Sequence, residues 1–307
     1  MRKKFSVIAA LLLTAAFIVS SLASCKPTDT DEKSRVYDFV NYESDEVFDI
    51  EKINLSKELA AECESYSFTY LSDGLKIKAY ISIPLSTIES QEPTQCVLYN
   101  RGGNRNYGAL GKYDTAAICK ACKRVVVASQ YRGGGGSEGK DEFGGSDMHD
   151  VIKLIDLCAN RFSFVDMDDF CAAGISRGGM MAYLAAKQDK RVKRVIAVSA
   201  VSNLLRSYKE RDDMQKVLKG TIGFTPEENP DAYKERSAVY WYKKIKVPVL
   251  MIHSKLDKQV SYKQAEQLYT RLKKVTDCTF ITYSDDVHGL HNNDEKTIYK
   301  WLNKNAV

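Results

Sequence analysis

Hydrophobic and polar residues alternate along the segment 63-CESYSFTYLSDGLKIKAYISIP-84, on both sides of the dipeptide Asp73-Gly74. Alternation with a period of two is typical of half-buried β-strands, and an Asp-Gly pair between two such runs favours a tight turn. The sequence therefore predicts a β-hairpin formed by two antiparallel strands at this place.

After residue 95 the pattern changes to short apolar runs separated by segments with helical spacing. Apolar runs without alternation fit strands that are buried on both faces of a parallel sheet. The pattern predicts strands at 96–99, 125–129, 170–175, 192–200, 247–253 and 278–283, and helices at 113–123, 146–160, 179–187, 260–275 and 294–304. We therefore expect an α/β fold, with a mostly parallel twisted sheet and helices on both of its faces.

One long segment interrupts this alternation of strands and helices. Residues 202–243 are polar and helical in pattern, and they separate two predicted sheet strands. Because plain connections in compact domains are short, this segment predicts a small helical cap over the carboxyl edge of the sheet. We predict one catalytic domain over residues 61–307 and a linker over residues 25–60 before it.

The first residues indicate an export signal that is not part of the fold. Three basic residues at positions 2–4 precede the apolar run 5-FSVIAALLLTAAFIV-19, which is typical of a secretory signal peptide. The motif 22-LASC-25 resembles a bacterial lipobox, so we expect residues 1–24 to be removed and Cys25 to carry a lipid. The alternative is an ordinary signal peptide with an accidental cysteine. We thus predict an exported protein that is anchored to a bacterial membrane through Cys25, at the cell surface or the periplasmic face.

Charge and cysteine spacing exclude several classes of protein. The 307-residue chain has a formal net charge of +5, and residues 2–4 carry three of these charges. The remaining charge is too small to indicate a nucleic-acid partner. Cys119 and Cys122 form a CxxC motif with no second pair and no nearby histidine to complete a tetrahedral set, so we predict no metal site.

Two segments carry the pattern Gly-x-Ser-x-Gly, which often presents a nucleophilic serine: 135-GGSEG-139 and 174-GISRG-178. Such a serine has to lie in a sharp turn between a strand and a helix, which raises its hydroxyl above the edge of the sheet. Ser176 follows the apolar run 170-FCAAGI-175 and precedes helix formers, whereas loop residues follow Ser137. We therefore favour Ser176 as the nucleophile and interpret the glycine-rich segment around Ser137 as a wall of the substrate site.

With these features placed, the chain resembles the α/β-hydrolase superfamily, and most closely the catalytic domain of the prolyl oligopeptidase family. The resemblance extends from about Tyr66 to Leu302 and rests on several motifs that occur in order. These motifs are SDGLKIKAYISIP (72–84), YNRGGN (99–104), QYRGGGGSEG (130–139), DVIKLIDL (150–157), VDMDDFCAAGISRGGMMA (165–182), VPVLMIHSKLDKQVSYKQAEQL (247–268) and DVHG (286–289). The resemblance implies the α/β-hydrolase fold and a serine hydrolase activity.

In this superfamily the nucleophile is followed along the chain by an acid and then by a histidine on a late loop. His288 lies in the loop after the last predicted strand and precedes a glycine, which allows a tight turn. Asp257 is the carboxylate within 254-SKLDKQV-260, after the preceding strand. The resemblance thus implies Ser176 as nucleophile, Asp257 as acid and His288 as base. Less favoured candidates for base and acid lie in the same late loop: His291, Asp285 and Asp286.

The resemblance also implies an oxyanion hole, formed by the backbone N–H groups of Arg177 and Gly102. Further residues on loops expected near the substrate are Arg101, Gly103, Tyr131 and Arg132. Four arginines fall on these loops, and one or two of them could bind a substrate carboxylate: Arg101, Arg105, Arg132 and Arg177. Alternatively, they pair with nearby acids such as Asp114, Glu138 or Asp141 and hold the loops in place.

Together these features predict a serine hydrolase that cleaves peptide or ester bonds through an acyl-enzyme, with a Ser-Asp-His triad. Its partner is a small ester or peptide substrate, and we expect neither a metal nor an organic cofactor. One alternative is a carboxylesterase that acts on small esters. An alternative of another class is a non-catalytic surface lipoprotein that uses the same fold for binding.

Overall fold

The computed structural model of the protein describes residues 38–304. The predicted signal peptide over residues 1–24 and the predicted lipidation of Cys25 lie outside the described residues. Within the described range, none of the helices has both the length and the apolar character needed to cross a membrane.

A nine-stranded sheet forms the centre of the described chain. Its strands are β1 (Val47–Lys52), β2 (Cys63–Ser72), β3 (Leu75–Pro84), β4 (Thr94–Asn100), β5 (Val125–Ser129), β6 (Val165–Ile175), β7 (Arg194–Val198), β8 (Val249–Ser254) and β9 (Cys278–Tyr283). Their order in the sheet is β1-β2-β3-β5-β4-β6-β7-β8-β9. The six strands from β5 to β9 in this order pair in parallel, and β1 to β3 pair antiparallel.

The predicted hairpin is confirmed by the pairing of β2 with β3, in which Ser72 lies opposite Leu75. Asp73 and Gly74 form the turn between them, with φ values of 51° and 77°. Two consecutive residues with positive φ match the twist of the flanking strands, which is why an Asp-Gly pair suits this turn.

Helices cover both faces of the sheet, as the apolar runs predicted. The helices are α1 (Lys57–Ala60), α2 (Leu85–Ser90), α3 (Asp114–Cys122), α4 (Asp147–Asn160), α5 (Arg177–Gln188), α6 (Leu204–Glu210), α7 (Asp212–Ile222), α8 (Pro230–Glu235), α9 (Ala238–Trp241), α10 (Tyr262–Leu272) and α11 (Asp294–Lys304). Buried residues of α4, α5 and α10 belong to one hydrophobic cluster, and those of α3 and α11 belong to a second. This arrangement confirms the α/β-hydrolase fold, with α6 to α9 in the segment predicted to form the cap.

Within residues 38–60, the described part of the predicted linker, the structure shows folded elements instead. Strand β1 pairs with β2 at the edge of the sheet, and the 3₁₀ turn Phe39–Tyr42 packs against the core. Phe39 is fully buried. The sequence pattern did not reveal this because Phe39 lies in a segment where apolar and charged residues mix without a clear period, and most of its partners are distant in the chain. Its ring centroid lies 5.2–6.4 Å from those of Tyr42, Tyr66, Phe68, Phe162 and Phe164.

The parallel strands bring several loops to one edge of the sheet. These loops are 101–104 after β4, 130–145 after β5, Ser176 after β6, Ser199 after β7, 255–260 after β8 and 284–293 after β9. In open α/β sheets, ligands bind in the crevice at this carboxyl edge. The topology therefore gathers the residues that the sequence analysis favoured for catalysis.

Substitution of Phe39 tests whether the segment before β1 belongs to the folded domain. Phe39→Ala leaves a cavity among aromatic rings, so we expect the free energy of unfolding to fall by about 3–5 kcal/mol. Urea denaturation followed by tryptophan fluorescence measures this change. The control is Val40→Ala, at a neighbouring side chain that is 49% exposed, for which we expect a change within about 0.5 kcal/mol. Equally small changes in both variants would contradict the packing of this segment.

Candidate active site

Ser176 lies in a strained turn between β6 and α5. Its φ of 59° and ψ of −122° form a conformation that is costly for a residue with a side chain. A Cβ atom on Gly178 would lie 1.8 Å from the carbonyl oxygen of Asn100, and one on Gly174 would lie 2.3 Å from the backbone of Gly178. Glycine is therefore required at both positions. The strand-turn-helix context expected of a nucleophile elbow is present at Ser176.

His288 and Asp257 form a hydrogen-bonded pair on the loops after β9 and β8. His288 Nδ1 lies 2.8 Å from Asp257 Oδ2. The other carboxylate oxygen, Asp257 Oδ1, accepts hydrogen bonds from the backbone N–H groups of Gln259 and Val260 at 2.8 and 3.0 Å. The loop after β8 thus fixes the carboxylate, and the carboxylate fixes the imidazole ring.

The environment of Asp257 favours its ionised form. Burial raises the pKa of the Asp257 carboxyl, but hydrogen bonds from His253, His288 and the Val260 N–H outweigh burial and hold the pKa well below its ordinary value. His253 is buried and its Nε2 lies 2.8 Å from the Val260 carbonyl oxygen. His253 therefore supports the acid rather than acting as a base.

Backbone contacts join the loop of His288 to the strand end that holds Ser176. The N–H of Gly289 donates to Ser199 Oγ at 3.1 Å, and Ser199 directly follows β7. The N–H of Ser176 donates to the Val198 carbonyl oxygen, the last residue of β7, at 2.9 Å. The predicted nucleophile and the predicted base are thus attached to the same strand end.

A cavity of about 330 Å³ opens next to Ser176. Part of its lining is apolar and includes Phe143, Val201, Leu204, Met214, Val217 and Val260. Leu204, Met214 and Val217 come from the cap helices α6 and α7, so the cap forms one wall of the cavity. A concave pocket with a mostly apolar lining and a few polar groups is typical of a substrate site.

Comparison with known proteins identifies the family of the chain. The model of the prolyl oligopeptidase family (Peptidase_S9) matches residues 115–306. A Bacillus subtilis (strain 168) protein named uncharacterized peptidase YtmA is 32% identical over 215 residues, which are 68% of this chain and 80% of that protein. The chain belongs to the prolyl oligopeptidase family. It is a serine hydrolase. Membership of this family therefore favours the enzyme over the non-catalytic binding protein that the sequence analysis gave as an alternative.

Solved structures with the same fold include peptidases and esterases. Acylaminoacyl peptidase of Pyrococcus horikoshii is 22% identical with a TM-score of 0.70, and the match covers 83% of this chain and 44% of that chain. Acetyl xylan esterase 1 of a Thermoanaerobacterium species is 19% identical with a TM-score of 0.64, and the match covers 91% of this chain and 94% of that chain. These likenesses concern the fold.

The residues predicted for the oxyanion hole adjoin the nucleophile. A Cβ atom on Gly102 would lie 3.2 Å from the Ile175 carbonyl oxygen and 3.6 Å from Ser176 Cβ. The backbone of Gly102 therefore packs directly against the turn of Ser176. Arg177 is the first residue of α5, so its N–H lies at the helix N-terminus. Both predicted donor residues therefore adjoin Ser176.

Buried acids hold the arginines that the sequence analysis considered for substrate binding. Arg177 Nη1 lies 2.7 Å from Asp141 Oδ2 and its Nη2 contacts Asp147, with all three side chains buried. Arg132 donates to both carboxylate oxygens of Asp150 in the same way. Their guanidinium groups are engaged within the protein, which supports the alternative that these arginines hold the loops.

Arg101 and Tyr131 also prove to be structural side chains. The Arg101 guanidinium donates to the carbonyl oxygens of Gln130, Gly102, Tyr107 and Arg105 at 2.8, 3.1, 3.4 and 2.8 Å. Tyr131 is fully buried beneath this loop. Of the four loop residues predicted near the substrate, Gly103 borders the cavity. The interpretation of Arg101, Tyr131 and Arg132 as substrate-contacting residues is corrected, because their polar groups are satisfied inside the protein.

Ser137 has a structural role at the edge of β3. Its Oγ accepts a hydrogen bond from the Lys78 N–H at 2.9 Å, and the Glu138 N–H donates to the Lys76 carbonyl oxygen at 2.9 Å. The glycine-rich loop therefore continues the pairing of β5 with β3. Other segments line the cavity, so the loop is not the substrate-site wall that the sequence analysis suggested.

The less favoured candidates in the late loop have other partners. His291 Nε2 lies 3.0 and 3.1 Å from the Asp285 carboxylate oxygens, and its ring stacks on Tyr283 at a centroid distance of 3.7 Å. Asp286 pairs with Lys258 at 3.4 Å. Within residues 38–304, no cluster of three or more His, Cys, Asp or Glu side chains could hold a metal ion.

The sequence analysis missed an ion pair at the mouth of the cavity. Arg211 donates to the two carboxylate oxygens of Asp213 at 2.7 and 2.5 Å and to the Gln259 carbonyl oxygen at 2.6 Å. Arg211, Asp213 and Gln259 all line the cavity. The polar cap segment was recognised in the sequence, but no local signal showed which of its charges faces the nucleophile.

The depressed pKa of Asp257 predicts a contribution to stability that depends on pH. A carboxyl has a pKa of about 3.9 in an unfolded chain, so its contribution is complete above that pH and is lost as the pH falls toward the lower folded value. Between pH 5 and pH 3 we therefore expect the free energy of unfolding of Asp257→Asn to fall less steeply than that of the wild type. Urea denaturation at several pH values measures both slopes. The control is Asp286→Asn, at a side chain that is 59% exposed, which should keep the wild-type slope. Equal slopes for wild type and Asp257→Asn would contradict the assigned environment.

Proposed function

We propose that Ser176, Asp257 and His288 are the catalytic triad of this serine hydrolase, and that it cleaves peptide bonds through an acyl-enzyme. The main support is the 2.8 Å hydrogen bond between His288 Nδ1 and Asp257 Oδ2, on loops next to the Ser176 elbow. The adjoining apolar cavity supports a substrate whose acyl part is apolar. The relative YtmA is named as a peptidase, and this name supports peptide cleavage.

The proposed reaction begins when Ser176 Oγ attacks the substrate carbonyl carbon and passes its proton to His288 Nε2. Asp257 keeps the proton on Nδ1 and stabilises the imidazolium that forms. The oxyanion accepts hydrogen bonds from the N–H groups of Arg177 and Gly102, and loss of one such donor typically raises the barrier by about 2.7–4 kcal/mol. His288 then gives its proton to the leaving amine. Water, deprotonated by His288, hydrolyses the acyl-enzyme and restores Ser176.

A carboxylesterase is the second candidate function. The observation that favours it is the match to acetyl xylan esterase 1, which covers nearly the whole of both chains, whereas acylaminoacyl peptidase is matched over less than half of its length. Esters and peptides require the same triad, so the shape of the substrate site decides between them. We also propose, on the sequence motif at Cys25 alone, that the enzyme acts outside the cytoplasmic membrane as a lipid-anchored protein.

A fluorophosphonate probe tests the identity of the nucleophile, because it reacts with activated serines. We expect Ser176→Ala to abolish labelling of the purified protein. Ser137→Ala is the matched control, since it removes the other serine of the same motif. It should leave labelling intact and lower stability by about 1 kcal/mol through the lost hydrogen bond to the Lys78 N–H. Labelling that survives Ser176→Ala but not Ser137→Ala would overturn the assignment.

A substrate panel tests which bond is cleaved. Nitrophenyl esters have an activated leaving group and should be hydrolysed by either kind of enzyme. We expect aminoacyl and dipeptidyl nitroanilides with apolar residues to be hydrolysed as well, at a rate that Ser176→Ala abolishes. Release of nitrophenol with no cleavage of any anilide would favour the carboxylesterase instead.

A further inference from the structure

Three consecutive carbonyl groups of the loop after β4 accept hydrogen bonds from buried side chains. The single Tyr131 hydroxyl proton is shared between the Arg101 carbonyl oxygen at 3.4 Å and Asn100 Oδ1 at 3.3 Å. The Gly102 carbonyl oxygen accepts from Arg101 Nη1 at 3.1 Å. The Gly103 carbonyl oxygen accepts from Arg177 Nη1 at 3.1 Å. Side chains from the loops after β4 and β5 and from α5 thus converge on one short stretch of backbone.

These contacts fix the direction of the neighbouring N–H groups. In a trans peptide the C=O and N–H point in opposite directions, and the described chain contains no cis peptide. A carbonyl of Arg101 held by Tyr131 therefore turns the Gly102 N–H to the opposite side of the chain. In the same way, the contact to the Gly102 carbonyl sets the direction of the Gly103 N–H.

The three side chains form a continuous stack. The ring of Tyr131 has the Arg101 guanidinium 5.2 Å from its centroid and the Arg177 guanidinium 5.3 Å from it. Burial raises the pKa of the Tyr131 phenol and outweighs the effect of the two arginines, so its hydroxyl remains a hydrogen-bond donor. Planar guanidinium groups on an aromatic face are well suited to such a stack.

Neighbouring groups lock the stack from both sides. Asp141 accepts a 2.7 Å hydrogen bond from Arg177 Nη1 and a 2.6 Å hydrogen bond from the Arg105 N–H, so it joins α5 to the end of the same loop. On the other side, a Cβ atom on Gly134 would lie 2.6 Å from Arg101 Nη2. The glycine-rich segment therefore packs closely over Arg101, which explains the need for glycine there.

Stability alone is a poor reason to bury these charges. Desolvation of paired ions is unfavourable, and apolar replacements of similar volume are often as stable or more stable. Buried charged groups can instead serve catalysis, because they hold a backbone dipole in one direction before the reaction begins. The contacts to three successive carbonyls provide such a fixed direction.

We propose that Arg101, Tyr131 and Arg177 are positioning residues that aim the backbone N–H groups of the loop at the substrate oxyanion. This inference rests on the proposed role of Ser176 as the nucleophile. The stack acts on the charge that develops in the transition state, so its loss affects kcat much more than KM.

Tyr131→Phe is the sharpest variant, because it keeps the ring of the stack and removes only the hydroxyl that contacts the Arg101 carbonyl oxygen and Asn100 Oδ1. We expect kcat for an ester substrate to fall about 10- to 100-fold, less than for complete loss of an oxyanion donor, with KM changed less than about two-fold. Tyr183→Phe is the matched control. Tyr183 is also fully buried, and its hydroxyl has no hydrogen-bond partner among the described residues. This control should keep the wild-type kcat.

Arg177→Lys tests the guanidinium, since a lysine cannot contact Gly103, Asp141 and Asp147 together. We expect a larger fall in kcat than for Tyr131→Phe. The control is Arg194→Lys, because Arg194 is equally buried and pairs with Asp169 at the opposite edge of the sheet. Thermal unfolding should show a loss of stability in both arginine variants, and a loss of kcat only in Arg177→Lys.

Thionoester substrates separate positioning from general damage, because sulfur accepts hydrogen bonds from an oxyanion hole poorly. We expect the wild type to prefer the oxygen ester in kcat/KM, and the preference to shrink in Tyr131→Phe and Arg177→Lys. An unchanged preference in these variants, with turnover that Ser176→Ala abolishes, would contradict the positioning role of the stack and leave the proposed function intact. Turnover that survives Ser176→Ala in the wild type and in both variants would contradict the proposed function and, with it, the positioning role of the stack.

Discussion

The buried ion cluster of Arg177 with Asp141 and Asp147 connects the turn of Ser176 to two of the loops that surround the proposed site. Arg177 follows the nucleophile directly, and its guanidinium also binds the Gly103 carbonyl. One side chain thus joins the first turn of α5 to the loops after β4 and β5. Burial opposes the charge of Arg177, but both carboxylates outweigh it and raise the pKa of the guanidinium. Removing one partner of such a cluster costs about 3–5 kcal/mol, because an uncompensated charge remains buried.

Around this cluster, backbone conformation shapes the turn of Ser176, and hydrogen bonds orient the side chains of Asp257 and His288. Glycines at 174 and 178 allow the strained turn of Ser176, since a Cβ at either position would overlap the backbone nearby. The loop after β8 supplies two N–H groups that hold Asp257, which in turn orients His288. The cap contributes apolar side chains to the cavity.

Patterns that are local in the chain predicted much of this enzyme. Alternation and an Asp-Gly turn predicted the β2–β3 hairpin, and apolar runs with helical spacing predicted the parallel sheet and most of its helices. The strand before Ser176 and the helix after it distinguished this serine from Ser137. Local patterns could not predict the edge strand β1 or the burial of Phe39, because those depend on partners that are distant along the chain.

The sequence by itself predicted the fold class, because the period of apolar residues and turn chemistry are properties of short segments. Its resemblance to a family with a known order of motifs implied the three residues proposed for catalysis. Only the tertiary structure decided the roles of Arg101, Tyr131, Arg132 and Arg177. A guanidinium can bind a substrate or a buried carboxylate equally well, and its choice depends on which groups the sheet brings near it. Here the strand order places Asp141, Asp147 and Asp150 within reach, so the arginines hold the loops of the site.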